Sequence, residues 1–202
     1  LEHLKREKAD ALYREATLIA NTYASDLYSN ETSLDTVKKQ LDALDVYLGA
    51  NLWIINPSGR MVLDSQAPVD VENETVIEGF DPTITEGSYY TVGNFFNSFQ
   101  EEQLSVFAPI TSDYRVRGYV VIHYPTNSIV ASCNNLLNIS YLMLIILFLL
   151  SLIILIFFTE MVYLPLRKIT EATEQYAEGN MHYEFQIDSE DEIGYLGATL
   201  NY

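Results

Sequence analysis

Cysteine, positive charge and breaks in one long apolar run are what this sequence has least of. Cys133 is its single cysteine, which excludes an internal disulfide framework and a cysteine-based zinc site. Lys and Arg total 11 against 28 Asp and Glu in 202 residues, a formal net charge of −17, so the basic footprint of a nucleic-acid binder is missing. The acids do not make a disordered tail either, because 49% of residues are hydrophobic and only 19% are charged. No H-E-x-x-H, G-x-S-x-G or glycine-rich phosphate loop occurs, and His3, His123 and His182 stand far apart in unlike settings. Sensing or binding is therefore expected, with no catalytic residue, metal site, cofactor or nucleic-acid partner in this chain.

Charge is absent altogether from Gly118 to Thr159. Inside that window Ile139 to Phe158 is a run of 20 residues without Gly or Pro, as a helix about 30 Å long, one hydrocarbon core. It reads as a transmembrane helix, too far from the N-terminus for a signal peptide. Residues 1–138 hold 19 acids and 9 bases, and residues 160–202 hold 9 acids and 2 bases. Arg167 and Lys168 follow the run closely, whereas the nearest base before it is Arg117. Basic residues beside a span favour the cytoplasmic side, so the larger N-terminal part is expected outside. It needs a route across the bilayer. A first spanning helix ahead of Leu1 is expected, with a removed signal peptide as the alternative.

The N-terminal part reads as helices followed by a sheet. Leu4, Leu12, Ala16, Ile19, Tyr23 and Leu27 recur at helical spacing and predict a long helix over Glu2 to Tyr28. Leu34, Val37, Leu41, Leu44 and Leu48 predict a second one, ended by Gly49. Strands are expected at Asn51 to Ile55 and Met61 to Leu63, joined by the turn Asn56-Pro57-Ser58-Gly59. Further strands are expected at Tyr89 to Val92, Gln103 to Ile110 and Gly118 to Tyr124, with Pro125 stopping the sheet before a helix leads into the membrane.

The strand, the Asn-Pro-x-Gly turn and a return strand ending in Asp64-Ser65 resemble extracytoplasmic sensor domains of the PAS-like or Cache type. So do Phe107-Ala108-Pro109-Ile110 and Gly118-Tyr119-Val120-Val121-Ile122. After the run, Leu164-Pro165-Leu166-Arg167-Lys168-Ile169 opens an amphipathic stripe that Gly179-Asn180 breaks. Ser189-Glu190-Asp191-Glu192 has the pattern of a capping box, and Ile193, Leu196 and Leu200 begin a second stripe. Two short helices joined by a connector behind a membrane span resemble the HAMP signalling module. Pro165, Ile169, Gly179, Asp191, Glu192, Ile193, Gly194 and Leu196 are its expected relay residues.

Two such helices cannot bury their stripes alone, whereas two copies can, as a parallel four-helix bundle in a homodimer. The fold expected is thus an α+β membrane protein. Residues 1–135 form a PAS-like sensor, 136–160 a transmembrane helix and 161–202 a HAMP domain. The resemblance implies the sensory part of a bacterial two-component histidine kinase, acting through a kinase module beyond Tyr202 and a response regulator. A chemoreceptor, a HAMP-linked cyclase and a membrane-anchored binding ectodomain are the alternatives.

The external ligand is left open. Trp53, Tyr89 and Tyr90, with Phe95 and Phe96, can line a pocket or simply fill the sheet core. Arg115 and Arg117 can meet a carboxylate ligand or pair with nearby acids. Between Met61 and Tyr114 the only charges are Asp64, Asp70, Glu72, Glu74, Glu78, Asp81, Glu86, Glu101, Glu102 and Asp113, read as a solvated surface or a cation site.

Overall fold

The computed structural model describes residues 1–72, 75–83 and 87–201, so Glu74 and Glu86 of the acidic run lie outside the described residues. The chain divides into two compact units, residues 1–135 and 136–202.

In the first unit, helical spacing of small and aliphatic side chains decides the N-terminal element. Helix α1 (Glu2–Ile19) buries Ala9, Leu12, Ala16 and Ile19 on one face. The expected single helix to Tyr28 is interrupted: a π-helical turn, Ala20–Ala24, precedes the short α2 (Ser25–Tyr28). The turn's inward residues are Ala20 and Ala24, small enough for the widened backbone to lie close to the sheet. Helix α3 (Leu34–Leu48) starts at Ser33, whose hydroxyl accepts the Thr36 N–H at 3.3 Å, and ends at Gly49.

Five strands follow: β1 (Asn51–Ile55), β2 (Met61–Asp64), β3 (Tyr90–Gly93), β4 (Gln103–Ser112) and β5 (Arg115–Pro125). They form one antiparallel sheet in the order β2-β1-β5-β4-β3. The period of two sorts side chains between its faces. Leu52, Ile54, Leu104, Val106, Ala108, Ile110, Val120 and Ile122 pack with α1 and α3. Trp53, Ile55, Phe107 and Val121 form a separate aromatic layer on the other face, with Ile77 and Phe95.

The β1–β2 turn works as its sequence suggests. The Asn56 side-chain oxygen accepts from the Ser58 and Arg60 backbone N–H groups at 3.1 and 2.9 Å. Gly59 is required twice over: its φ is +86°, and a Cβ there would lie 2.7 Å from Phe80 Cβ. Ser65, just past β2, ties the strands to α3. Its hydroxyl donates to Asp45 at 2.5 Å and accepts the Leu52 N–H at 3.0 Å.

Strands β4 and β5 run further than the expected 103–110 and 118–124. Asp113 and Tyr114 both take positive φ, 52° and 60°, the geometry of a two-residue hairpin turn whose twist suits long paired strands. Pro125 is the last residue of β5 and lies opposite Gln103. Thr126 then opens α4 (Thr126–Phe158), its N–H held by the Glu102 carbonyl at 3.1 Å.

The second unit contains most of α4, a π-helical turn Thr159–Tyr163, α5 (Leu164–Ala177) and α6 (Glu192–Leu200). The helical run Thr126–Ala177 is long and apolar enough to cross a membrane, and its most apolar stretch is not buried. Behind it, Ile169, Ala172 and Phe185 make a small core, flanked by Tyr176, Tyr183, Ile187, Ile193 and Leu200. The chain is an α+β protein with one antiparallel sheet and one such helix among the described residues.

Candidate functional site

The aromatic face of the sheet carries polar groups that an ordinary core would not leave unpaired. Ser105 of β4 and His123 of β5 are direct cross-strand partners. Both are fully buried, and Ser105 Oγ lies 2.7 Å from His123 Nδ1. Among the described residues Nε2 of the same ring has no hydrogen-bond partner, nor has Nε1 of Trp53. Aromatic rings enclose the imidazole: Trp53 at 4.2 Å, Phe95 at 4.5 Å and Phe99 at 4.7 Å between centroids. Burial in this box lowers the His123 pKa to about 3, so the ring is neutral at neutral pH. A buried donor or acceptor without a partner costs about 1–3 kcal/mol, so these two atoms are poised for a polar group entering the face.

The segment over the box is itself strained. Phe95, Phe96 and Asn97 have φ of 44°, 53° and 60°, three successive non-glycine residues in the left-handed region. This local winding turns Phe95 in against His123 and Phe107. Phe99 stacks on Trp53 with centroids 5.2 Å apart.

Beside Trp53 a cavity of about 400 Å³ opens along β2, lined also by Met61, Leu63, Asp64 and Val69. The Asp64 carboxyl is pushed above its ordinary pKa by burial, against the pull of the Gln66 backbone N–H, the Trp53 indole and Lys38. The indole N–H sits near this carboxyl without closing a hydrogen bond of normal geometry. Among the described residues no three His, Cys, Asp or Glu side chains gather as a metal site needs.

Trp53, Tyr89, Tyr90, Arg115 and Arg117 do not converge. Only Trp53 belongs to the aromatic face. Tyr89 and Tyr90 pack with the helical core on the opposite side, where the Tyr89 hydroxyl donates to Asp10 and its ring meets Tyr13 at 4.7 Å. Arg115 and Arg117 are exposed near the β4–β5 turn, and Arg117 bonds Asp113 at 3.3 Å. Sequence reasoning set His123 aside as a lone histidine. Its alternation with Val121 and Tyr119 along β5 was the available signal.

In the second unit several of the expected relay residues meet around one small assembly. Pro165 stands at the start of α5, directly after the π-helical turn, and has no N–H to give the Met161 carbonyl. Ile169 and Ala172 face Phe185 of the connector. Gly179 ends α5 with φ +90°. Tyr176 donates to the Tyr183 carbonyl at 3.0 Å, and Asn201 Nδ2 donates to the Phe185 carbonyl at 2.8 Å.

The expected Ser189–Glu192 capping box does not form. Asp191 is the cap, accepting the Ile193 and Gly194 N–H groups at 3.1 and 3.2 Å. Ser189 donates to the same Asp191 oxygen, and Glu192 is exposed. Asp191 stands immediately before the helix and its charged carboxylate reaches these amides directly, so Ser189 supports the cap rather than making it. The Ser189 hydroxyl, then the Gly194 and Ile193 N–H groups, lower the Asp191 pKa.

Gly194 is fixed by contact, since a Cβ there would lie 1.8 Å from the Ser189 carbonyl oxygen. Gly197, which the motif did not single out, packs under Ile187. Ile193 joins the small core, while Leu166 and Leu196 stay 42% and 45% exposed outside it.

Residues 164–202 match the family model of the HAMP domain. No curated protein matches the chain in sequence. Among solved structures, the chain is similar to the sensor domain of the V. cholerae histidine kinase DctB. Identity is 15%, with a TM-score of 0.44, covering 59% of this chain and 50% of that one. It is also similar to the ligand-binding domain of the Campylobacter jejuni chemoreceptor Tlp3 in complex with L-valine. There identity is 14%, with a TM-score of 0.42, covering 63% and 59%. The chain thus spans half to three fifths of these solved chains. What it contains is an α+β unit, a helix apolar enough to anchor it in a membrane, and a HAMP domain over residues 164–202.

Proposed function

We propose that this chain is the sensing and relay portion of a membrane-anchored two-component histidine kinase. A stimulus acts outside the cell on the aromatic face around Trp53 and His123. The HAMP helices of a homodimer repack in the cytoplasm, and a kinase module following this chain passes the signal to a response regulator. The supporting observation is chain continuity. His123 lies on β5, and β5 passes into the membrane helix at Thr126 without an intervening loop. A group that enters the box therefore pushes on the strand that becomes the span. Beyond the span, Leu166 and Leu196 are apolar, exposed and close to the small core, as a stripe awaiting a second copy is. Arg167 and Lys168 support the cytoplasmic side for this end.

A chemoreceptor or a HAMP-linked cyclase shares the same front end, and the residues that follow Tyr202 in the parent protein separate these outputs. The test is output from the full-length parent in membranes. Replacing Pro165 or Glu192 by Ala is expected to lock or uncouple output while membrane insertion is kept. Normal output from both variants over the full stimulus range overturns the relay reading.

A further inference from the structure

The two bases of the second unit stand beside a cavity that the relay reading leaves unused. It measures about 400 Å³ and lies between the start of α5 and the end of the connector. Arg167 and Lys168 line it together with Glu160, Glu171 and Asp188, over apolar walls from Pro165 and Ile187. We propose that this pocket binds the headgroup of a zwitterionic phospholipid carrying a primary ammonium, that is, a phosphatidylethanolamine of the surrounding bilayer.

Charge, position and direction support one occupant. The cavity wall carries both signs of charge, which suits a phosphate and an ammonium a few bonds apart. A purely anionic headgroup would leave the carboxylates facing like charge. Arg167 uses its Nε on Glu171 at 3.2 Å, and its terminal N–H groups have no partner among the described residues. Lys168 makes a single long bond, 3.4 Å, to the Gln186 carbonyl. Glu160 and Asp188 have no hydrogen-bond or ion-pair partner among the described residues.

The apolar run ends at Phe158, so Glu160 follows it at once and the Arg167 backbone lies about 13 Å further along the helix. The headgroup layer is about 5–8 Å thick per side. Helical side chains lean toward the helix N-terminus, which here is the membrane, and long basic side chains snorkel. Arg167 and Lys168 therefore reach back to the phosphate level, while Glu160 sits within it.

The experiment is native mass spectrometry of the full chain released from nanodiscs with equal phosphatidylethanolamine, phosphatidylglycerol and phosphatidylcholine. The wild type is expected to retain phosphatidylethanolamine over both others. R167Q/K168Q is expected to reduce that retention about tenfold, and E160Q/D188N to abolish the preference over phosphatidylglycerol while lipid is still held. Circular dichroism equal to wild type shows that the variants keep their helices, and the two variants act on opposite charges, so a folding defect in one leaves the other informative. Equal retention of all three lipids, or retention unchanged in both variants, overturns the proposal. So does a cross-link from Lys168 to a second copy that excludes lipid from the pocket.

Discussion

Replacing Gly194 by Ala and Gly197 by Ala separates a backbone collision from a soft one within a single helix. Both changes raise intrinsic helix propensity by about 1 kcal/mol. At Gly194 the new Cβ would stand 1.8 Å from the Ser189 carbonyl oxygen and 2.7 Å from its carbon. Both are backbone atoms, so the connector must move by more than about 1 Å before contact becomes ordinary. Asp191 caps α6 through the Ile193 and Gly194 amides, and this movement pulls the cap away. Overpacking of this kind costs about 3 kcal/mol at the upper end of its usual range, a net loss of about 2 kcal/mol after the propensity gain. That corresponds to about thirtyfold more frequent opening of α6. At Gly197 the nearest atom is Ile187 Cδ1 at 2.8 Å, the free end of a flexible side chain, so the propensity gain and the repacking nearly cancel. Amide hydrogen exchange of α6 in the full chain in nanodiscs reads the difference directly. Wild-type protection in Gly194→Ala, or a larger loss in Gly197→Ala than in Gly194→Ala, refutes the reasoning.

Two further outcomes are expected at the aromatic face. The folded-state pKa of His123 is about 3, below the ordinary histidine value, so the unfolded chain binds the extra proton and stability falls as pH drops below about 6.5. The first unit should lose about 2 kcal/mol between about pH 7 and pH 5, measured by urea unfolding with the fluorescence of Trp53, the sole tryptophan, as the signal. His123→Gln should flatten that slope, and an unchanged slope in the variant contradicts the assignment. Trp53→Phe removes a buried N–H that closes no hydrogen bond of normal geometry among the described residues and keeps a ring in the box. Its stability by circular dichroism should be unchanged or higher by about 1 kcal/mol, while the response to stimulus is lost. A loss above about 3 kcal/mol shows that the ring's packing, and not an open polar site, explains Trp53.

Periodicity and turn chemistry made most of the first unit legible. The 3–4 spacing of Leu34 to Leu48 gave α3 to the residue, and Asn56-Pro57-Ser58-Gly59 placed the first hairpin. The β4–β5 turn was harder. Asp113 and Tyr114 are not glycines, so nothing in their identity announces two positive φ values, and the strands came out longer than expected. The π-helical turn at Ala20–Ala24 leaves an apolar pattern almost indistinguishable from that of an α-helix.

The candidate site was the least legible part. Tyr89 and Tyr90 were grouped with Trp53 by residue type. Facing in a sheet depends on strand parity and register: Tyr90 of β3 stands opposite Val106 on the helical side, and Tyr89, in the bend just before β3, packs there as well. Ser105 and His123 meet through the register of two strands 18 positions apart, which a single sequence does not display. In the second unit, the four-residue pattern put the cap at Ser189, two residues too early. Asp191, immediately before the helix, has the shorter path to the free amides.

The central claim is that the aromatic face and the HAMP helices are one relay. Cysteine cross-linking between copies in membranes tests it, with Leu166→Cys and Leu196→Cys made separately in a Cys133→Ser background. Both positions are predicted to cross-link in the parent protein, and Trp53→Ala is predicted to shift the ratio of their yields at least about fivefold, near the 1 kcal/mol scale of allosteric coupling. No cross-link at either position, or a ratio that Trp53→Ala leaves unchanged, contradicts the account.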